Sequence, residues 1–189
     1  MIIGFSGFAQ VGKDSAAEPL IEEGFESLSF AAGVRRLAYE LNQFVVVRDK
    51  SMGMNSIAKY RSVLDEHGYE WAKQHTSARQ LLVAIGSGVR NVIGPDAWIA
   101  PVRATIENAS PGSDFVITDV RYANEAAMIR EFGGHIVRVV RPGVKAVSME
   151  EERSLKQFHP DFVVYNDGGF VKLWDSVCDI ACELELRER

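Results

Sequence analysis

A glycine-framed loop that ends in lysine constrains this chain more than any other feature of its sequence. Residues 7–13 read Gly-Phe-Ala-Gln-Val-Gly-Lys, after an apolar run at 2–6 and before a helical pattern at 13–23. The spacing G-x-x-x-x-G-K between a strand and a helix is typical of a phosphate-binding loop. Its glycines let successive N–H groups turn inward, and the helix offers its positive N-terminus to an anion. The loop predicts a site for the phosphates of a nucleoside triphosphate, and a chance glycine-rich turn is the alternative.

The residues that close the loop indicate how bound phosphates are handled. Lys13 is expected to reach the β- and γ-phosphates and to offset charge during transfer. Asp14 stands where such loops usually carry Ser or Thr, and its carboxylate is a suitable oxygen ligand for Mg²⁺. Ser15 is then available to the α-phosphate. This makes Asp14 the expected metal ligand of the loop.

Strand and helix patterns alternate along the chain, which predicts a parallel sheet with crossovers on both faces. The expected fold class is α/β, a three-layer α/β/α domain with about five parallel strands. Strands are predicted at 2–6, 26–30, 115–119, 135–140 and 162–166. Helices are predicted at 13–23, 32–44, 56–67, 69–74, 77–93, 96–108, 123–132, 148–157 and 170–186. Residues 1–189 are expected to form one domain, with a core at 1–44, 77–140 and 161–189, an insertion at about 45–76 and a lid at about 141–160.

Charge, hydropathy and cysteine content limit which classes of partner and which compartment are expected. The net charge of −5 argues against binding to a nucleic-acid backbone, which needs a basic face. No apolar run approaches the length of a membrane span, so no membrane partner is expected. Cys178 and Cys182 lie four apart on a predicted helix, which predicts buried free thiols and a reducing, cytoplasmic compartment. A monomer and a homodimer are both compatible with the sequence.

A second predicted strand also ends in a carboxylate. Residues 115–119 read Phe-Val-Ile-Thr-Asp, and Asp119 is expected to support Mg²⁺ beside the loop. Val120 and Arg121 follow it, so the Glu that hydrolytic motors place there is missing and transfer is favoured over hydrolysis. The alternative for Asp119 is a cap on the helix at 123–132. Asn124 and Glu125 could likewise be simple helix-start residues.

Phosphoryl transfer needs cations around donor and acceptor, and arginine matches phosphate geometry well. The candidate arginines are Arg35, Arg79, Arg90, Arg121 and Arg141. Three of them, Arg35, Arg121 and Arg141, follow predicted strand ends, where open α/β sheets bind ligands. A solvated surface charge is the alternative for each. Nucleobases bind in pockets lined by aromatic or apolar side chains. Tyr60 and Tyr69 could contact a base or pack in the core, whereas Trp98 is expected to pack in the core.

Several segments resemble the phage-type deoxynucleoside monophosphate kinases. Gly12-Lys13-Asp14-Ser15 is similar to their Gly-Lys-Asp-Thr/Ser loop, and residues 119–125, Asp-Val-Arg-Tyr-Ala-Asn-Glu, are similar to their Asp-x-Arg-x-x-Asn-Glu segment. Residues 29–31, 78–98, 134–142 and 161–168 fit the same family in the same order. The resemblance spans nearly the whole chain, and a phage origin is compatible with it. The lid departs from the pattern, because residues 144–152 lack the histidine of the family's His-x-Ser-Glu segment.

The resemblance implies a P-loop kinase that moves the γ-phosphate of ATP, with Mg²⁺, onto a deoxynucleoside monophosphate. It leaves the base open, with dAMP as one candidate. The implied catalytic residues are Lys13, Asp14, Arg121 and Arg141, and the implied metal ligands are Asp14 and Asp119. ATP is assigned to Gly7, Ala9, Gln10, Val11, Gly12, Lys13, Asp14, Ser15, Arg138 and Asn166. The acceptor is assigned to Phe30, Arg35, Tyr60, Arg79, Asp119 and Arg121.

Two rival functions remain open at this point. One is a P-loop kinase for another small phosphate, of the phosphomevalonate or dephospho-coenzyme A type. The other is a nucleotide-gated binding protein that transfers nothing.

Overall fold

The structure, a computed structural model, describes residues 1–48 and 55–188. The elements in chain order are β1 (Ile2–Ser6), α1 (Lys13–Glu22), β2 (Glu26–Leu28), α2 (Ala31–Leu41), β3 (Phe44–Arg48), β4 (Asn55–Lys59), α3 (Tyr60–His67), α4 (Tyr69–His75), α5 (Ala78–Val92), α6 (Ile99–Glu107), β5 (Phe115–Val120), α7 (Ala123–Glu131), β6 (His135–Val140), α8 (Met149–Lys156), β7 (Phe162–Tyr165) and α9 (Phe170–Glu188).

The predicted fold class is confirmed. Five strands form a parallel sheet in the order β2-β5-β1-β6-β7. All five residues of β1, the central strand, are buried, as expected for a parallel strand with both faces covered. One apolar cluster joins the sheet to α1 and α9, and a second joins it to α6 and α7. The sheet is therefore the middle of three layers.

The chain divides into two compact units. The first comprises Met1–Phe30 and Ile99–Arg189 and contains the parallel sheet; the second is Ala31–Trp98. The predicted lid, 141–160, belongs to the first unit. The predicted insertion, 45–76, lies within the second, apart from its part at 49–54, which falls outside the described residues. The single-domain organisation and its internal boundaries remain predictions.

The second unit contains a hairpin that the sequence prediction missed. β3 and β4 pair antiparallel, with Phe44 opposite Lys59, where a helix to residue 44 and another from residue 56 were predicted. The first helix ends at Leu41 because Asn42 adopts a left-handed backbone, with φ 46°, which stops a helix. The β-branched run Val45 to Val47 then favours a strand.

Two smaller expectations can be compared with the structure. Cys178 and Cys182 are both free, as predicted, but Cys178 is half-buried and Cys182 is exposed, so the predicted burial is wrong. Both cysteines lie one position after core residues of α9, Val177 and Ala181, so they stand beside the buried stripe of this helix rather than in it. None of the helices in the described part of the chain is long and apolar enough to cross a bilayer.

Candidate functional site

The loop between β1 and α1 has backbone geometry that only glycine satisfies at two positions. Gly7 has φ 138° and Gly12, which caps α1, has φ 95°, both in the region that favours glycine. A Cβ on Gly7 would lie 2.5 Å from the Val139 carbonyl oxygen, and one on Gly12 would lie 2.5 Å from Asn166 Nδ2. The two motif glycines are therefore needed for conformation and for space together.

Two side chains from the C-terminal part of the chain hold the loop and its helix. Asn166 follows β7 and donates from Nδ2 to the Val11 carbonyl at 2.9 Å. Trp174 on α9 donates from Nε1 to the Ser15 carbonyl at 2.8 Å. Asn166 was predicted to bind ATP; the structure gives it a contact to the loop backbone, which fixes where the loop lies.

Lys13 folds back over its own loop. Its Nζ donates to the Gly7 carbonyl at 3.0 Å and to the Phe8 carbonyl at 2.8 Å. Burial lowers the pKa of Lys13, and the positive charge of Arg121 lowers it further. A desolvated ammonium of this kind gains much from a nearby anion, because its bulk hydration is already lost.

Three carboxylates oppose that shift, which shows which groups surround the ammonium. Asp14, Glu151 and Asp119, in that order, raise the pKa of Lys13 by their negative charges. Asp14 is exposed in the first turn of α1, and Asp119 is half-buried near the end of β5. The structure therefore brings the two predicted metal ligands, Lys13 and Arg121 within electrostatic reach of one another.

Glu151 also contacts the loop directly, and sequence reasoning did not identify it. Its Oε1 accepts a hydrogen bond from the Ala9 backbone N–H at 2.9 Å, and its Oε2 accepts one from the Val147 N–H at 2.8 Å. Ser148 caps α8 by accepting from the Glu151 N–H at 3.1 Å. The Ser-x-x-Glu spacing at 148–151 signals a helix start, but nothing in it indicates a contact 142 residues away in sequence.

Asp119 uses both carboxylate oxygens to hold the end of β2. Oδ1 accepts from the Phe30 backbone N–H at 3.0 Å and Oδ2 from the Ser29 hydroxyl at 2.8 Å. It does not cap the following helix, which begins at Tyr122 as N-cap. The Phe30 side chain, predicted at the acceptor, is buried in the apolar cluster that includes Ile117. The structure thus places the Phe30 backbone, rather than its ring, beside Asp119.

The segment after Asp119 is organised by Glu125. This buried carboxylate accepts from the Arg121 N–H at 2.7 Å and the Tyr122 N–H at 3.0 Å through Oε2. It satisfies two N–H groups at the start of α7, as the helix-start alternative predicted. The Arg121 side chain itself is exposed, which leaves its guanidinium accessible to an anion.

Arg138 and Arg141 have different surroundings on and after β6. Arg138 donates from one guanidinium nitrogen to the Leu155 carbonyl at 2.9 Å and the Phe158 carbonyl at 3.2 Å. Burial lowers the pKa of Arg138. Arg141 is exposed. Arg138 therefore anchors the end of α8, whereas Arg141 remains open to solvent.

An apolar cavity of about 240 Å³ lies between the loop and α8. Its lining is contributed by the loop, by β6 and the residues after it, and by α8: Gly7, Phe8, Val11, Arg138, Val139, Val140, Arg141, Val144, Glu152, Leu155 and Lys156. Apolar walls with a few polar groups at the rim are typical of small-ligand sites.

The second unit holds the other acceptor candidates. Tyr60 is fully buried, and within the described residues its hydroxyl has no hydrogen-bond partner. Burial raises the pKa of Tyr60, Tyr69 raises it further, and Arg35 lowers it. The Arg35 guanidinium lies 5.7 Å from the centre of the Tyr69 ring. The structure thus brings Arg35, Tyr60 and Tyr69 together.

Arg79 and Trp98 of this unit differ in exposure. Arg79 is exposed on α5. Trp98 is buried, as predicted, and donates from Nε1 to the Gly86 carbonyl at 3.0 Å.

The described residues contain no group of three or more His, Cys, Asp or Glu side chains suited to a metal ion. Mg²⁺ at a phosphoryl-transfer site is usually held by one or two carboxylates, with nucleotide phosphates and water completing its shell. Exposed Asp14 fits that requirement. Asp119 fits it less simply, since both its oxygens already accept hydrogen bonds.

Comparisons with known proteins identify a family. The profile of the deoxynucleotide monophosphate kinase family matches residues 21–177. The chain is 25% identical over 200 residues to the "Putative deoxynucleotide monophosphate kinase" of Acanthamoeba polyphaga mimivirus, a match that covers 96% of this chain and 95% of the relative.

Solved structures show the same fold. Dephospho-CoA kinase from Campylobacter jejuni superposes with a TM-score of 0.51 at 15% identity, over 100% of this chain and 98% of that one. TT1252 from Thermus thermophilus gives 0.52 at 16% identity, over 97% of each chain. The family match begins after the loop, so the loop geometry is an independent observation. The chain has the P-loop kinase fold and belongs to the deoxynucleotide monophosphate kinase family.

Proposed function

We propose that this protein phosphorylates a deoxynucleoside monophosphate to the diphosphate with ATP as donor. The observation that carries the proposal is the loop at 7–13, with two glycines at positive φ where an added Cβ would be strained and crowded and with Lys13 folded against the loop. Family membership supplies the class of acceptor. The loop accounts for the triphosphate, and the family accounts for the monophosphate.

The proposed chemistry is in-line transfer. An acceptor phosphate oxygen attacks the γ-phosphorus, its new P–O bond forms, and the bond from the γ-phosphorus to the bridging oxygen breaks, releasing ADP. The attacking oxygen is already ionised near neutral pH, so no general base is needed. Lys13, Arg121 and Arg141 offset the charge on the transferring group, and catalysis consists of positioning and charge neutralisation.

Mg²⁺, when bound, would neutralise charge between the β- and γ-phosphates. Asp14 is the residue we propose to hold it, directly or through water, since its carboxylate is exposed at the first turn of α1. Asp119 is proposed as a second support. A contact to Mg²⁺ through a water molecule would let Asp119 keep its hydrogen bonds to Ser29 and Phe30.

We propose that residues of the second unit, Arg35, Tyr60 and Arg79, bind the acceptor monophosphate. Arg35 and Tyr60 already lie together with Tyr69. Arginine binds phosphate through paired hydrogen bonds, and aromatic side chains line nucleobase sites. Closure of residues 141–160 over the donor would exclude water and limit hydrolysis.

The test is ADP formation with ATP, Mg²⁺ and one acceptor at a time. The acceptors are the four deoxynucleoside monophosphates, the four ribonucleoside monophosphates, dephospho-coenzyme A and phosphomevalonate. The proposal expects ADP with at least one deoxynucleoside monophosphate, dAMP being one candidate, and little without an acceptor. ADP formed only with dephospho-coenzyme A or phosphomevalonate would favour the other kinase class. Binding of ATP without ADP formation for any acceptor would favour a nucleotide-gated binding protein.

A further inference from the structure

An acidic side chain of the chain itself binds one N–H group of the phosphate loop. Glu151 Oε1 lies 2.9 Å from the Ala9 backbone nitrogen and accepts its hydrogen bond. An inward-pointing N–H of such a loop is the group that is expected to donate to a phosphate oxygen. A carboxylate oxygen and a phosphate oxygen are both anionic acceptors, so Glu151 and a bound phosphate compete for the same donor.

Lys13 is also held by groups of its own loop. Its ammonium donates to the carbonyls of Gly7 and Phe8, two neutral acceptors in its own loop. The Glu151 carboxylate is also among the charges that act on Lys13. Both the N–H of Ala9 and the lysine that should meet phosphate are thus engaged by groups of the chain itself.

The Glu151 contact is not explained by the needs of its own helix. Ser148 already caps α8, and the Val147 N–H is bound through Oε2, so Oε1 is not required for the helix start. The flanking side chains of Glu150 and Glu152 are exposed, whereas Glu151 is half-buried. Glu152 instead pairs with Lys156 at 2.6 Å.

We propose that Glu151 is an internal competitor of the donor nucleotide: its carboxylate accepts the hydrogen bond of the Ala9 N–H and must leave before the terminal phosphate of ATP can bind there. This inference rests on the proposed function, since it assigns the loop to the donor. Displacement of Glu151 removes the hydrogen bond that joins the start of α8 to the loop, so donor binding is coupled to the start of α8, while Arg138 still holds its end. The self-contact keeps the loop ordered and lowers its affinity for phosphates.

The experiment compares wild type with Glu151→Gln, Glu151→Ala and the matched control Glu150→Gln. Calorimetry measures affinity for ATP and for inorganic tripolyphosphate, which isolates the phosphate part of the ligand. Amide hydrogen exchange at Ala9, measured without ligand, reports on the self-contact itself. Because a charged acceptor binds an N–H about twice as strongly as a neutral one, Glu151→Gln should bind both ligands about fivefold more tightly.

The expected result is tighter binding of ATP and tripolyphosphate by both Glu151 variants, with faster exchange at Ala9 and with Glu150→Gln equal to wild type. Wild type that binds ATP, together with Glu151 variants of equal or weaker affinity, would overturn the competition whatever the exchange rate. Failure of every protein, wild type included, to bind ATP or tripolyphosphate would instead remove the proposed function and the inference with it.

Discussion

The loop at 7–13 was expected to bind the donor and the insertion at about 45–76 to bind the acceptor, and the sequence specifies these two regions in different ways. Gly12 and Gly68 both have a positive φ, 95° and 79°. A Cβ on Gly12 would strike Asn166, whereas nothing lies within 4 Å of one on Gly68. The donor loop is fixed by backbone geometry and close approach. The acceptor candidates depend on side-chain burial, which packing decides.

The largest effect is expected for Lys13→Ala. Loss of the ammonium removes charge neutralisation during transfer and should lower kcat/KM by about 1,000-fold or more. Steady-state ADP formation measures it. Lys172→Ala, which removes an exposed lysine paired with Asp167, is the control and should retain near-normal turnover. Comparable losses in the two variants would contradict a specific role for Lys13.

Lys13→Ala should also leave the fold intact and show a pH-dependent stability. Burial lowers the folded-state pKa of Lys13, so its charge opposes folding at pH values below that pKa. The penalty is relieved as pH rises through the folded pKa towards the unfolded value. Chemical denaturation should therefore show the variant gaining most, relative to wild type, at neutral and lower pH. A relative gain that grows with alkaline pH would contradict the assigned cause.

The variants Gly12→Ala and Gly68→Ala test whether close approach to Asn166 sets the donor loop apart from the other region. Both substitutions force a Cβ into a backbone with positive φ, which costs about 1–3 kcal/mol. Only the Gly12 variant must also displace Asn166, so it should lose about tenfold or more in ATP affinity. Nucleotide binding and denaturant unfolding measured on both variants separate the two terms. Equal ATP affinities would mean that the close approach of Asn166 does not matter.

Asp14 tests the metal assignment. Asp14→Ala should raise the Mg²⁺ concentration needed for half-maximal rate by about tenfold, because one charged ligand is lost. Asp14→Thr restores an oxygen at the place where such loops usually have a hydroxyl and should recover part of the activity. The readout is ADP formation across a Mg²⁺ titration. Identical titration curves for all three proteins would exclude Asp14 as a metal ligand.

Tyr60→Phe should give the smallest effect. Within the described residues the Tyr60 hydroxyl is buried without a partner, so its removal should leave the free energy of unfolding unchanged or raise it by about 1 kcal/mol. If the hydroxyl meets the acceptor, KM for the monophosphate rises about tenfold while KM for ATP stays the same. An unchanged KM for both substrates would show that the Tyr60 hydroxyl does not contact the acceptor.

The loop and the sheet could be predicted because each rests on local rules. Strand β1 is apolar at both faces, and Gly7 and Gly12 are needed wherever the chain turns back on itself this tightly. The Asp119 to Glu125 segment was also recognisable, including the helix-start role of Glu125.

The hairpin and the Glu151 contact could not be predicted. The strand pair β3–β4 depends on Asn42 ending a helix whose apolar spacing continued to Phe44. Glu151 reaches Ala9 from the far end of the chain, and such a contact follows only from how α8 packs. Residues that act through tertiary placement leave no local sequence pattern.

Transfer from ATP to a deoxynucleoside monophosphate is tested most directly by identifying the products when several acceptors compete. Purified protein, ATP and Mg²⁺ are incubated with an equimolar mixture of the four deoxynucleoside monophosphates and their ribose counterparts, with Lys13→Ala as the blank. Mass spectrometry then identifies each diphosphate formed. We expect that one or more deoxynucleoside diphosphates appear first and in excess, and that none appears in the blank. Release of inorganic phosphate without any nucleoside diphosphate would contradict it.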